Sequence, residues 1–344
     1  MGAYRRFRNE QLQKEINLQF RLFQPEDTMA LISCVRDEYG DTYFKQSFYN
    51  PEALLAADET QKIQFLVAQQ EDGEIVGMLA LKRFKPREDM CEIASQIIRR
   101  EYRGYHIAWP FFQYGMTVLE QLPGVSAVYC LPVLFHKITE VLMERLGLVP
   151  CGVICSVFLM DHIRHSYHRD GNHKHPQGIM IKKQEKQSAG VLYVAKEHQE
   201  IAAQIYSALQ VSFSFGDPEP MTGTSALHYY NDERQQNCAI YVDHSGTDLM
   251  QRVREIQQQF SGPWQTYNVF LNVSDGGAVG AYRQLTAGGF FFTGFQPLCS
   301  AREIMVLHDP GLVRIDFTTW ALTPAFARLR DYIEQCWQGR ALLS

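Results

Sequence analysis

The stretch from Met90 to Gln121 constrains the fold of this chain more than any other segment. Its first part alternates apolar with small or polar side chains, which is typical of a β-strand. A short polar loop from Arg100 to Tyr105 follows, and from Ala108 onward apolar residues recur at helical spacing. A strand, a tight loop and a helix N-terminus direct several backbone N–H groups and the positive end of the helix dipole at one spot. The segment therefore predicts an anion-binding loop that suits a phosphate.

Pro110 limits which backbone N–H groups of this loop can bind a phosphate. Proline has no N–H and is tolerated only in the first turn of a helix. Any phosphate cradle must therefore be built from the N–H groups of Gly104 to Trp109. The alternative interpretation is an ordinary strand-loop-helix connection with an Arg-Gly turn.

The loop sequence REYRGYHIA resembles the pyrophosphate loop of the GNAT acyl-CoA N-acetyltransferases, whose pattern is Q/R-x-x-G-x-G/A. Arg103 opens the pattern, Gly104 and Tyr105 follow, and Ala108 closes it. His106 departs from the family, which usually has glycine there for close approach of backbone to phosphate. We expect His106 to fit if its φ is negative, with an imidazole that can pair with phosphate; the alternative is a weakened site.

Composition limits the class of protein. A chain of 344 residues with 46% hydrophobic residues predicts two domains with real cores. The net charge of −5 offers no basic field for nucleic acid, and the absence of a run of about 18 apolar residues predicts no membrane span. The basic N-terminus lacks the apolar run of a signal peptide. The eight cysteines are scattered without a CxxC motif, which favours free thiols and a cytoplasmic protein.

The predicted elements between residues 16 and 185 follow the order β-α-α-β-β-β-α-β-α-β. A polar lead-in over residues 1–15 precedes them. This order is similar to that of the GNAT fold, and the segment Glu140 to Val153 resembles the family's helix-then-glycine ending. The resemblance reaches residue 185 if Gly178 to Lys183 supplies the last strand.

The chain contains a second, weakly similar copy of the same pattern. The segment Gly147 to Val153 resembles Gly289 to Phe295 at an offset of 142 positions (289 − 147), and the same offset carries the strand Ala127 to Tyr129 onto Val269 to Leu271. We therefore predict an α/β protein of two tandem GNAT-like domains, over residues 16–185 and 186–344. Each is expected to be a twisted, mainly antiparallel mixed sheet flanked by helices.

The second copy differs at the loop. The offset of 142 places Ser245 at the position of Arg103 and Asp248 at that of His106. A carboxylate there would satisfy the helix N-terminus and repel pyrophosphate. We expect the second domain to keep the fold without a CoA loop.

The resemblance implies acyl-CoA, most simply acetyl-CoA, as co-substrate and an amine acceptor, either a small molecule or a protein. The pantetheine arm would pair with the end of the central strand, at Ile97, Ile98 and Arg99. The pyrophosphate would be bound by the loop residues Arg103, Gly104, Tyr105, His106, Ile107 and Ala108. No metal, nucleic acid or membrane is implied, and a homodimer is the assembly considered.

The proton carriers are less defined. Glu92 lies on the central strand, where family members often use a glutamate as base. The family's leaving-group acid is a tyrosine near the end of the last helix, and Met143 stands at that position with no proton to give. His136 is seven residues earlier, on the face of that helix opposite the expected core stripe of Phe135, Ile138 and Leu142. We take Glu92 and His136 as catalytic candidates; the alternatives are an ordinary polar strand residue at Glu92 and a solvated or capping histidine at His136. Tyr102, Tyr105, Tyr129 and Cys130 are the substitutes.

The segment between residues 162 and 175 carries five histidines, His162, His165, His168, His173 and His175. Such spacing can ligate a metal on a helix, but nothing nearby resembles a second shell. We expect an exposed connecting loop.

These patterns together predict an acyl-CoA-dependent N-acyltransferase with an active first domain. Two other classes remain open, a non-catalytic acyl-CoA-binding regulator and a protein-interaction scaffold that binds no CoA.

Overall fold

The computed structural model describes residues 3–43, 45–60, 62–83, 89–159, 174–184, 188–299 and 302–340. The described residues form two compact mixed α/β units, one ending at Tyr129 and the other starting at Cys130. This division lies earlier in the chain than the expected domain boundary after residue 185, which was drawn from the sequence repeat. The division into tandem domains therefore stays a prediction. No helix in the described ranges is both long and apolar enough to cross a membrane.

The first unit is a sheet with strand order β1-β2-β3-β4-β5-β6. Its strands are β1 (Arg5–Asn9), β2 (Lys14–Leu22), β3 (Ile63–Gln70), β4 (Ile75–Lys82), β5 (Met90–Ile98) and β6 (Ala127–Cys130), and its helices are α1 (Thr28–Tyr39), α2 (Pro51–Glu59) and α3 (Ala108–Glu120). Neighbouring strands are antiparallel from β1 to β5, and β5 and β6 are parallel.

Local sequence signals explain these elements. Asn50 caps α2, because its side-chain oxygen accepts from the Ala53 N–H at 3.0 Å, and Pro51 occupies the first helical position. Every residue of β4 is buried, so both faces of this strand are covered. On the α3 face, a Cβ at Gly115 would lie 2.6 Å from a methyl group of Leu79, so the glycine permits close helix–sheet packing.

The N-terminal segment differs from the predicted polar lead-in. Residues Arg5–Asn9 form β1, and β2 begins at Lys14, so the first fifteen residues contribute a hairpin to the sheet. The hairpin was missed because charged side chains alternate with Phe7 on a half-exposed edge strand, which gives little apolar signal.

The second unit contains a seven-stranded run in the order β8-β7-β14-β15-β13-β12-β11 and a separate parallel pair of β9 and β10. Its strands are β7 (Val149–Leu159), β8 (Lys174–Lys183), β9 (Ser188–Leu192), β10 (Ser212–Phe215), β11 (Ala226–Asp232), β12 (Asn237–His244), β13 (Thr266–Asn272), β14 (Phe291–Cys299) and β15 (Arg302–Asp309). Its helices are α4 (Ile138–Arg145), α5 (Lys196–Ala208), α6 (Leu249–Gln259), α7 (Ala278–Ala287) and α8 (Pro324–Arg340).

The order of elements repeats along the chain. The run β5-α3-β6-α4-β7-β8 has the same succession of strands and helices as β12-α6-β13-α7-β14-β15. In both runs the first two strands are parallel and the last two antiparallel. Strands β7 and β14 pair antiparallel through Gly152 and Gly294, which are 142 positions apart (294 − 152). The two strands therefore pair at equivalent positions of the repeat.

The expected core face of α4 is wrong. Ile138 is 64% exposed, whereas Met143 and Glu140 are fully buried. Glu140 is held on the buried side because its carboxylate accepts from the Thr323 N–H at 2.9 Å. This partner lies 183 positions away in sequence, so helical periodicity could not reveal it.

Glu303 is a second buried carboxyl of this unit, with 3% of its surface exposed. One of its oxygens accepts from the Tyr206 hydroxyl at 2.7 Å and from the Leu298 N–H at 3.0 Å. Burial raises the pKa of Glu303 to about 7, from an ordinary value of 4.5. The protonated form therefore predominates in the folded protein below neutral pH.

Replacing Glu303 by glutamine should make the protein less sensitive to alkaline pH. A raised folded-state pKa means that stability is complete below pH 4.5 and is lost as the pH rises through about 7. Glutamine keeps an oxygen for both hydrogen bonds but carries no charge. We expect Glu303→Gln to match the wild type in urea unfolding at pH 5 and to exceed it by about 1–3 kcal/mol at pH 8. An equal loss of stability at both pH values would contradict the buried, neutral carboxyl.

Candidate functional site

The central strand β5 contains a β-bulge. Ala94 pairs with Ala80 and Ile97 pairs with Met78, so Ser95 and Gln96 together face one residue of β4. Ser95 has a φ of 52°, in the left-handed region that serine rarely adopts. The bulge changes which way the rest of β5 presents its backbone groups.

Strands β5 and β6 diverge just before this bulge. Their parallel pairing ends where Glu92 meets Tyr129, while β5 continues to Ile98 along β4. The Arg99 N–H donates to the Val76 carbonyl of β4 at 3.0 Å. Because backbone groups alternate in an antiparallel ladder, the N–H and carbonyl of Ile98 point to the opposite edge. This edge is the stretch at which Ile97, Ile98 and Arg99 are predicted to bind pantetheine.

The predicted phosphate loop has the donors that an anion requires. After a 3₁₀ turn at Arg100–Tyr102, Gly104 adopts a φ of 86°, and α3 begins at Ala108. Within the described part of the chain, none of the five backbone N–H groups from Gly104 to Ala108 donates to a protein acceptor. The Gln96 side chain donates to the Ala108 carbonyl at 3.0 Å and so joins the bulge to the start of the helix.

The expectation of a negative φ at His106 is wrong. Its φ is 57°, so histidine occupies the backbone conformation for which glycine is the usual residue. The side chain of His106 is exposed.

Arg103 is already engaged by the protein. Its Nε donates to the Ile98 carbonyl at 3.2 Å, and its Nη2 forms an ion pair with Glu38. The side chain remains 49% exposed. Contact between Arg103 and a phosphate stays a prediction, and it would require the guanidinium to leave or share Glu38.

The other loop residues hold the backbone in place. Tyr105 and Ile107 are 5% and 2% exposed, so their side chains anchor the loop from the inside. Asn9 donates from its side chain to the Arg103 carbonyl at 3.4 Å, and a Cβ at Gly104 would lie 2.8 Å from the same nitrogen. The tip of the β1–β2 hairpin therefore supports the loop.

The side chain of Arg99 is bound by other side chains of the protein. Its guanidinium donates to the Ser33 hydroxyl at 3.2 Å and lies 3.5 Å from carboxylate oxygens of both Asp37 and Glu74. Its backbone is also hydrogen-bonded within the protein, since its N–H donates to the Val76 carbonyl and its carbonyl accepts from the Tyr102 N–H, both at 3.0 Å. A contact between Arg99 and pantetheine stays a prediction.

Glu92 lies in a polar group on one face of β4 and β5. It is 8% exposed and pairs directly across the strands with Lys82, which is fully buried. The Lys82 ammonium donates to the Ser95 hydroxyl at 2.8 Å, and the Tyr43 hydroxyl lies 3.1 Å from the same oxygen. Sequence reasoning selected Glu92 but missed the other three residues. A lysine within the apolar run IVGMLALK was the signal that could have indicated them.

His136 belongs to the second unit and precedes α4. Its Nδ1 is buried and has no hydrogen-bond partner in the described part of the chain, and burial lowers its pKa below the ordinary value. Glu92 belongs to the first unit, so each candidate has its own surroundings. The catalytic roles of both residues stay predictions.

The equivalent loop of the second copy has no spare donors between Ser245 and Thr247. Backbone N–H groups there donate within the protein, Ser245 to Asp275 at 2.8 Å, Gly246 to the Ser225 hydroxyl at 3.0 Å, and Thr247 to the Gly223 carbonyl at 3.0 Å. Asp248 was expected to satisfy the helix N-terminus. It accepts instead from the Ser225 N–H at 2.7 Å and makes no cap bond to α6.

Strands β12 and β13 also stay paired over six residues each, from Asn237 with Thr266 to Val242 with Leu271. The divergence seen between β5 and β6 has no counterpart in this pair.

Most of the histidine-rich segment lies outside the described residues, including His162, His165, His168 and His173. His175 is part of β8 and is 7% exposed, so the exposed loop predicted there is wrong at this position. Among the residues that the structure describes, no group of three or more His, Cys, Asp or Glu side chains is arranged to hold a metal ion.

The sequence matches no protein-family model and no curated protein. Solved structures similar to part of the chain include a ribosomal-protein-S5-alanine acetyltransferase from Vibrio fischeri, at 12% identity over 48% of this chain and 92% of the other, with a TM-score of 0.38. A spermidine N-acetyltransferase from Vibrio cholerae is 15% identical over 48% of this chain and 94% of its own, with a TM-score of 0.39. A candidate phosphinothricin N-acetyltransferase is 18% identical over 49% of this chain and 99% of its own, with a TM-score of 0.38.

Each of these similarities covers about half of this chain. The order of strands and helices from β2 to β7 is the order predicted from the sequence.

The left-handed conformation at His106 predicts a specific pattern of stability. Because the side chain is exposed, changes there act mainly through the backbone. His106→Gly should keep or raise the free energy of unfolding by up to about 1 kcal/mol, and His106→Val should lower it by about 1–2 kcal/mol. Chemical denaturation of the three proteins measures this, and three equal stabilities would contradict the conformation at this residue.

Proposed function

We propose that this protein is an acyl-CoA-dependent N-acyltransferase, with acetyl-CoA as the simplest donor and an amine as the acceptor. The observation that carries the proposal is a set of backbone N–H groups without protein acceptors at one end of β5. Five successive N–H groups from Gly104 to Ala108 have no acceptor in the described structure. The Ile98 edge of β5 also points away from β4, with the Ile98 carbonyl accepting from Arg103 Nε. An anion and an extended amide chain are the ligands that such groups bind.

The donor would bind by backbone contacts. The loop from Gly104 to Ala108 would hold the pyrophosphate with its N–H groups and the dipole of α3. The pantetheine arm would add to the free edge of β5 near Ile97 and Ile98, as an extra strand does. Its thioester would then lie beside the bulge at Ser95 and Gln96, where a backbone N–H can stabilise the oxyanion.

Glu92 would take the proton from the attacking amine, since it is the carboxylate on the same strand as the bulge. His136 remains the second candidate for proton transfer, because its pKa is lowered by burial and the neutral imidazole can accept a proton.

The second copy would not bind CoA. Its loop N–H groups from Ser245 to Thr247 are used inside the protein, and the nearby Asp248 carboxylate repels a phosphate. The chain would therefore bind one acyl-CoA, and the second copy would serve a structural or recognition role.

Calorimetric titration with acetyl-CoA tests the loop. We expect one site per chain. Gly104→Asp should weaken binding by roughly 5- to 30-fold, about 1–2 kcal/mol, because a carboxylate at the helix N-terminus repels the pyrophosphate. The matched control is Gly73→Asp, the same change at an exposed turn glycine with a φ of 95°, which should leave affinity unchanged. Two equivalent sites, or equal affinity of Gly104→Asp and wild type, would contradict the assignment.

A non-catalytic acyl-CoA-binding regulator is the second candidate. Met143 favours it, because a fully buried thioether stands where the family has its proton-donating tyrosine. The two candidates differ in the fate of bound acetyl-CoA. An acyltransferase releases free thiol faster than a protein-free control when a primary amine is added, whereas a regulator binds the same donor and does not raise the rate above that control.

A further inference from the structure

The buried face of β4 and β5 holds a short hydrogen-bonded chain. Lys82 is fully buried, and its ammonium donates to the Ser95 hydroxyl oxygen at 2.8 Å. The Tyr43 hydroxyl lies 3.1 Å from the same oxygen. A buried lysine is rare, and Ser95 is held in a strained conformation at the bulge, so these groups are costly to keep together.

Tyr43 is a hydrogen-bond partner that stays protonated in this group of side chains. Burial raises the pKa of its hydroxyl well above the ordinary value, so the phenol keeps its proton. A serine oxygen has two lone pairs, and Lys82 and Tyr43 can occupy both as donors. In the arrangement in which both donate, the hydroxyl hydrogen of Ser95 is directed at a third partner; in the other arrangement Ser95 donates to Tyr43.

Lys82 donates to Ser95 and lies opposite Glu92 in the strand pairing. Lys82 and Glu92 are direct partners across the β4–β5 ladder, and opposite residues on one face lie within side-chain reach. The three groups therefore follow one another along the strands in the order Glu92, Lys82, Ser95. The last of them lies in the bulge.

We propose that Glu92, Lys82 and Ser95 form an internal proton circuit in which Ser95 protonates the departing thiolate of CoA. This inference rests on the proposed function. Ser95 would be the proton donor that Met143 cannot be. The buried Lys82 would have a role in proton transfer.

Every proton and the electron pair of the broken bond are accounted for over one turnover. The acceptor nitrogen bonds to the thioester carbon, the C–S bond breaks, and its electron pair goes to sulfur. The amine proton passes to Glu92, the Ser95 hydroxyl gives its proton to sulfur, and the Lys82 ammonium returns a proton to Ser95. The protonated Glu92 then gives its proton to the neutral amine of Lys82. The products are an amide and the free thiol of CoA, and all three side chains are restored.

The pKa of the thiol of bound CoA tests the circuit without an acceptor. A hydroxyl that donates to the thiolate favours the charged form, so the pKa of the thiol should fall on binding. CoA carrying ¹³C beside sulfur reports this pKa by NMR in saturated complexes of the full chain. We expect a pKa lower by about one unit or more in the wild-type complex than in free CoA.

Ser95→Gly is the main variant, because glycine accepts a φ of 52° without strain and the change removes only the hydroxymethyl side chain. Lys82→Met removes the ammonium at similar length, and Ser126→Ala is the control for loss of a serine hydroxyl elsewhere in the same unit. We expect the pKa of bound CoA to return to the free value in Ser95→Gly and to rise in Lys82→Met. It should keep the wild-type value in Ser126→Ala, with CoA affinity within threefold throughout.

The outcomes separate this inference from the proposed function. A wild-type protein that does not bind CoA would overturn the function and the circuit together. A protein that binds CoA with the same thiol pKa in wild type and Ser95→Gly would overturn the circuit alone. A kinetic check uses a primary amine as acceptor with the protein-free rate subtracted, and Ser95→Gly should lose about 100-fold in kcat with little change in acetyl-CoA KM.

Discussion

The extra residue in β5 is the constraint on which the candidate site depends. Ser95 and Gln96 face one residue of β4, and this places Ser95 at a φ of 52°. From there the Gln96 side chain reaches the Ala108 carbonyl, and the Ser95 hydroxyl meets Lys82. The bulge therefore joins the start of α3 to the buried polar face of the sheet. A regular strand would turn one of these side chains to the other face.

The two copies of the repeat differ in the hydrogen bonding of their loop N–H groups. Both have a strand, a short loop, a helix and a parallel strand in the same order. The N–H groups from Gly104 to Ala108 have no acceptor in the described protein, whereas those from Ser245 to Thr247 donate to nearby protein oxygens. Exposed donors can be satisfied by a ligand, and donors already used cannot. Capacity to bind an anion is thus a property of the loop and not of the shared fold.

Local patterns predicted most elements because they depend on neighbours in sequence. The predicted order β-α-α-β-β-β-α-β-α-β and the strand-loop-helix around Gly104 are confirmed. The face of α4 was wrong, because Glu140 is held inside by Thr323, far along the chain. The φ of His106 was also wrong. Whether a histidine can occupy the left-handed region depends on the surrounding loop, and residue type alone favours the opposite choice.

The sequence by itself determined the order of elements, the 142-residue repeat and the position of the loop that starts α3. Only the tertiary structure decided which side chains meet at β5. The Lys82–Ser95–Tyr43 group depends on strand register and on one bulged residue, and Arg103 is held by Glu38, 65 positions earlier. Periodicity reports which face of an element is apolar. It carries no information about contacts between residues that are far apart in sequence, and such contacts determine the chemistry that a site can perform.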